Sequence, residues 1–144
     1  NERARAGVVE ALGGSRVAEQ NLEQWGWTAN VERIFNVVDP AVADPTSATN
    51  ITVSLHGFRD AAAAAEALPF YSDILVNLGY EELDPPQLGE TARLLQQPQE
   101  DGGINVALYV QQGPVLYRIG GYAPAGGDPT QAVIDVATSM LAGQ

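Results

Sequence analysis

The stretch from Ile104 to Tyr122, INVALYVQQGPVLYRIGGY, decides the fold. Apolar residues alternate on both sides of a Gln-Gly-Pro tip, which predicts a long β-hairpin. Folding it at Gln112 and Gly113 sets Val110 against Val115, Leu108 against Tyr117, Val106 against Ile119 and Ile104 against Gly121. These pairs share one face, because side chains two apart point the same way. The opposite face pairs Tyr109 with Leu116, Ala107 with Arg118 and Asn105 with Gly120, and is more polar. One face is thus expected to be core, with the hairpin central to an antiparallel sheet. Pro114 has no N–H, so the turn is expected to close less tightly than a two-residue loop. Gly120-Gly121 is expected to mark a bend or bulge.

Before the hairpin, Tyr80 to Leu83 and Thr91 to Gln97 read as short strands, and Pro98 to Gly103 as a loop. Asp60 can cap a helix from Ala61 to Gly79, with Leu68, Tyr71, Leu75 and Leu78 as its stripe and Ile74 beside them. Pro69 is expected to kink or split that helix. The run Ala61 to Ala65 reads simply as strong helix former. Ile51 to Phe58 alternates, with Ile51, Val53 and Leu55 toward the core and Thr52, Ser54 and His56 away from it. Trp27 to Val38 alternates in the same way, with Trp27, Ala29, Val31, Phe35 and Val37 on one face. Between these strands DPAVADPTSATN reads as a loop, since each proline disfavours helix at the residue before it. Nearer the start, Val8, Val9 and Leu12 suggest a first helix, and Ser15 caps a second through Gln24 with Leu22 and Trp25 on its stripe. After the hairpin, Asp128, Pro129 and Gln131 predict a cap, a first helical position and a capping box. Val133, Val136, Ala137, Met140 and Leu141 then keep helical spacing.

The expected fold is therefore α+β: a mainly antiparallel five- to six-stranded sheet packed by helices, including a kinked central helix and a C-terminal helix. One domain is expected over residues 1–144, with residues 1–14 a frayed end or a linker to an upstream segment.

Composition excludes several classes of function. Acidic residues number 18 against 7 basic ones, a net charge of −11, and every base is Arg. Such a chain repels phosphate backbones and anionic membranes, so nucleic acid is not an expected partner. Without Lys there is neither Schiff-base chemistry nor a Walker lysine. The chain is cysteine-free, so disulfides and thiolate metal sites are out. No apolar run is long enough to be a transmembrane segment. Arg in place of Lys, with many alanines, is the usage of a GC-rich bacterial genome. The chain starts at Asn1 without Met, so a signal peptide or lipid anchor would lie upstream.

Candidate chemistry is sparse. His56, the one imidazole, could be a general base or a pH-responsive group beside Arg59 and Asp60; the plainer reading is a solvated or helix-capping histidine. No serine has a nucleophile signature. Asp39 and Asp44 form a weak Ca²⁺ candidate without EF-hand spacing, and the acids at Glu81, Glu82, Asp84, Glu100 and Asp101 read as solvated loop residues. Trp25-Gly26-Trp27 could stack a ligand, although Trp27 continues an apolar strand face and so reads as core. None of the glycine pairs has phosphate-loop spacing. No cofactor is expected.

The run from Gly121 to Met140, GYAPAGGDPTQAVIDVATSM, closes a pattern that resembles the PsbP-like α+β sandwich from Trp27 onward. It is also similar to bacterial lipoprotein-type domains. That resemblance implies a non-catalytic binding or accessory domain outside the cytoplasm, membrane-tethered or secreted, meeting an unknown protein or small-molecule ligand. The expected surface is the second hairpin face, Tyr109, Leu116, Arg118 and Tyr122, with His56. Two alternatives are a hydrolase using His56 with nearby carboxylates, and a structural domain that forms a homodimer through a sheet edge.

Overall fold

The computed structural model describes residues 2–3, 16–37, 49–124 and 127–142. Its strands are β1 (Glu2–Arg3), β2 (Ala29–Val37), β3 (Thr49–Gly57), β4 (Glu81–Leu83), β5 (Thr91–Pro98), β6 (Ile104–Gln112) and β7 (Val115–Ala123). Its helices are α1 (Arg16–Gln24), α2 (Ala61–Asn77) and α3 (Thr130–Ala142). The strands form one sheet in the order β1-β2-β3-β7-β6-β5-β4, antiparallel throughout. Five are long, and the short β1 and β4 stand at the edges. The fold is α+β, as the sequence predicts. Glu2 and Arg3, in the stretch expected to be a frayed end or a linker, pair with β2. The first predicted helix, with Val8, Val9 and Leu12, lies outside the described residues, as do Asp39 and Asp44.

The hairpin of β6 and β7 is central, but its register differs from the expectation by two residues. Val110 faces Tyr117, Leu108 faces Ile119, Val106 faces Gly121 and Ile104 faces Ala123. The turn is the two residues Gly113-Pro114, with Gln112 opposite Val115. Gly113 has φ 56°, which glycine adopts freely and which suits the first central position of a tight hairpin turn. The central residues of such a turn donate no ladder hydrogen bond, so the missing N–H of Pro114 costs nothing there. A slip of two keeps every side chain on its face, which is why the faces stand although the partners change.

Helices pack on both faces of the sheet. On one, Ile51, Val53, Leu94, Val106, Leu108, Val110, Tyr117 and Ile119 pack against Val133 and Ala137 of α3. On the other, Leu95, Ala107, Tyr109 and Leu116 lie under α2, with Leu22 and Trp25 completing that cluster. Gly120 and Gly121 form no bulge; both pair regularly with β6 and with β3. A Cβ at Gly121 would stand 2.5 Å from Val133 Cγ2, so this glycine lets α3 settle on the sheet.

Helix α2 begins where expected. Asp60 accepts the Ala63 N–H at 2.8 Å. It ends in a Schellman motif: Tyr80 N–H reaches Leu75 O, Gly79 N–H reaches Val76 O, and Gly79 takes φ 99°. It runs through Pro69 as one helix rather than two. Its buried face is Ala63, Ala64, Ala67, Leu68, Tyr71 and Ser72, while Leu78, expected on the stripe, is 64% exposed. The alanines are therefore packing residues as well as helix formers. At α3, Asp128 accepts the Thr130 N–H and hydroxyl at 2.9 and 2.6 Å. Gln131 does not reach back to complete a capping box; it donates forward to Asp135 at 2.9 Å.

Candidate functional site

Three transverse rows of paired residues organise the α2 side of the sheet. Ser54, Arg118, Tyr109 and Arg93 make the first row, across β3, β7, β6 and β5. Thr52, Gly120, Ala107 and Leu95 make the next, and Tyr122, Asn105 and Gln97 the one after. The first row lies under α2. The second has the smallest side chains at its middle, and there the helix is running out.

The two arginines of the first row flank Tyr109 and have opposite surroundings. Arg93 donates to Ser72 Oγ at 2.7 Å, to Asp73 at 2.6 Å and to Glu82 at 2.7 Å. The Asp73 bond, ahead of those to Glu82, holds its guanidinium above the usual range. Arg93 thus ties α2 and β4 to β5. Arg118 donates its Nε to the Tyr109 hydroxyl at 3.1 Å, with its guanidinium carbon 5.9 Å from the ring centroid. Among the described residues no carboxylate pairs with it. Burial raises the Tyr109 phenol, and Arg118 partly offsets that.

Beyond the end of α2 this surface opens into a groove of about 210 Å³. Thr52, Ala107 and Gly120 form its floor, with Tyr80, Asn105, Arg118 and Tyr122 around it. Its depth comes from Gly120, where a Cβ would come no nearer than 3.9 Å to any atom. Tyr122 also borders a wider recess of about 680 Å³ lined by Gln97 to Asp101. There its hydroxyl donates to Asp101 at 2.8 Å, and Asp101 also accepts the Gly103 N–H at 2.8 Å. The Gly103 bond first, then Tyr122, holds the Asp101 carboxyl below its usual range. The Tyr122 phenol is raised, chiefly by that same bond. This recess is rimmed by acids, whereas the smaller groove holds a cation.

The five residues expected to form a contact surface do not stay together. Tyr109 is 2% exposed, Leu116 0% and His56 7%; all three are buried, and only Arg118 and Tyr122 reach the groove. Alternation correctly placed them on one face, but α2 covers half of it. His56 is neither solvated nor a helix cap. Its Nδ1 accepts from Trp27 Nε1 at 3.3 Å, its Nε2 lies 3.3 Å from Ser54 Oγ, and Tyr71 meets it edge-on at 4.9 Å. An indole N–H only donates, so Nδ1 is the acceptor. Asp60, its proposed acid partner, is spent on the cap and on Arg59. Trp27 is core as expected, and it joins Trp25 and Phe58 under α2. Tyr71 carries the one buried side-chain polar atom without a partner among the described residues. Burial drives its phenol far upward.

Sequence reasoning paired Asn105 with Gly120 on the correct face but missed Thr52 as a groove residue. Tyr80 enters through the Schellman turn, which swings the chain back over the sheet. The groove offers a guanidinium, phenols, an amide and a hydroxyl. It contains no imidazole, carboxylate, thiol or amine, so nothing in its lining pairs a nucleophile with a base. No group of three or more candidate metal ligands occurs among the described residues. No helix among them is long and apolar enough to cross a membrane.

No family model matches the chain, and no curated protein matches it. Among solved structures, the extracellular domain of PknH from Mycobacterium tuberculosis is similar over 98% of this chain and 93% of that one, at 9% identity and TM-score 0.48. LpqN, involved in cell envelope biogenesis of Mycobacterium tuberculosis, is similar over 80% of this chain and 82% of that one, at 16% identity and TM-score 0.39.

Proposed function

We propose that this chain is a non-catalytic binding or accessory domain that acts outside the cytoplasm and receives its ligand in the groove over Gly120. The lining carries this reading: it supplies hydrogen-bond donors and aromatic walls around a cation, without the paired groups that bond-breaking chemistry needs. The burial of His56 beneath α2 supports binding over the hydrolase alternative. The extracytoplasmic part follows the resemblance to lipoprotein-type domains.

The test is a fragment screen by amide NMR on the isotopically labelled chain. Fragments are expected to shift the amides of Asn105, Ala107, Arg118 and Gly120, and to lose that effect in Gly120→Leu, which fills the floor. Shifts confined to Gln97–Asp101, or none at all, would sink the groove as the site. Fractionation of the tagged natural gene product checks the location, and hydrolase activity lost on His56→Ala would favour the enzyme reading instead.

A further inference from the structure

We infer that the ligand enters the groove through a carboxylate gripped by the outer edge of Arg118, an inference that rests on the binding reading above. The Arg118 Nε is committed to the Tyr109 hydroxyl, which fixes the plane of the guanidinium. That leaves the edge bearing the two terminal nitrogens, whose parallel N–H groups match the two oxygens of a carboxylate. The matching residue on the other side of Tyr109 shows what such an arginine receives when the fold supplies it: Arg93 has both Asp73 and Glu82. A half-covered guanidinium without an anion is an unbalanced charge, and none of the acids described outside β2 is spent on it.

The charge required is small. No second cation lines the groove, and the whole chain carries −11, so a dianionic phosphate group would meet net repulsion. A singly charged, planar group is the better match. The rest of the ligand lies on Gly120 and Ala107 between the phenol rings of Tyr80 and Tyr122. At about 210 Å³ the space is below the roughly 300–1,000 Å³ of sites for drug-sized molecules, so the ligand is a small organic acid. Tyr109 is a positioning residue, since it acts on the ligand only through Arg118.

The experiment titrates the labelled chain with benzoate, hexanoate and N-acetylalanine, and in parallel with benzyl alcohol and inorganic phosphate, at constant ionic strength. At least one carboxylate is expected to shift the amides of Asn105, Ala107, Arg118 and Gly120 saturably. Its affinity is expected to exceed that of the alcohol and of phosphate by about tenfold or more, the scale of one charge-assisted hydrogen bond. Arg118→Gln should abolish the effect, and Arg118→Lys should weaken it because the fork is lost while the charge stays. Tyr109→Phe should weaken carboxylates but leave benzyl alcohol unchanged, which a merely structural role would not do. The amide spectrum reports whether each variant is folded, and the wild-type ranking stands without any variant.

Carboxylates no better than benzyl alcohol would overturn the inference while leaving the groove as a binding site. Phosphate equal to or tighter than every carboxylate would overturn it in favour of a phosphorylated ligand. Unchanged carboxylate binding in folded Arg118→Gln would also overturn it. If neither these probes nor the fragments move the groove amides, the binding reading falls with it.

Discussion

Gly120 and Gly121 are neighbours in β7, and they serve opposite faces of the sheet in opposite ways. At Gly121 a methyl group would meet Val133 at 2.5 Å and Pro129 at 3.2 Å; at Gly120 the nearest atoms are two carbonyl oxygens at 3.9 and 4.0 Å. The first glycine is a seat for α3. The second leaves room that no packed element uses. The α3 face is a filled core, with Leu108, Ile119 and Val133 wholly buried. The α2 face mixes core with a polar row and then stops short of the sheet's end. A glycine pair in a strand therefore says that something approaches closely, without saying whether it is the protein itself or a visitor.

Substitutions can break this contrast, starting where packing is tightest. Leu108→Ala should cost about 3 kcal/mol, within the range for emptying a core leucine site, read from urea unfolding. A cost well under about 1 kcal/mol would mean that the α3 face is not close-packed. Gly121→Ala should cost about 2 kcal/mol by pushing α3 off the strand. A neutral result there would show that the helix can shift without penalty.

The α2 face should betray itself at high pH. Burial raises the phenols of Tyr71 and Tyr109 in the folded chain, whereas unfolded phenols ionise near about pH 10. Their contribution to stability is whole below that pH. It is lost as pH rises, because the unfolded chain then binds fewer protons than the folded one. Well above pH 10 a tyrosine held neutral by the fold steepens the fall toward about 1.4 kcal/mol per pH unit. Tyr71→Phe should remove about 1.4 kcal/mol from the stability lost between pH 9 and pH 11, read from urea unfolding across that range. At neutral pH it should be neutral or slightly stabilising, because it removes a buried hydroxyl that has no partner. The smallest effect belongs to the open glycine. Gly120→Ala should leave stability within about 0.5 kcal/mol of the parent while weakening groove ligands. A large loss of stability there would dissolve the distinction between the two glycines.

Much of the fold was legible because alternation is a strong signal. Ile104 to Tyr122 announced the hairpin, its faces and its central place. The register was less so, because Gln112-Gly113 and Gly113-Pro114 both offer a plausible tip and both preserve the faces. Alternation also says nothing about what lies above a face. Tyr109, Leu116 and His56 were grouped correctly, but nothing local reveals that Ala63, Ala64 and Ala67 would bring α2 down on top of them. The polar character of Ser54 and His56 suggested water, and tertiary packing supplied Trp27 and Tyr71 instead. The candidate site was half legible: Arg118 and Tyr122 were named, while Thr52 became their neighbour only through a pairing between distant strands.

That distant pairing has a consequence for how the molecule assembles. The β2–β3 ladder and the β4–β7 meander are each built from short-range contacts, but the ladder joining them is not. Ile51 meets Gly121 across an interval of 70 residues, 121 minus 51. Closing a contact of such separation is entropically slow, so the β3–β7 seam is expected to form late, after its two halves. Thr52 and Gly120 lie on opposite sides of that seam. A molecule seated on both would act as a rivet across the last joint to close and the first to part.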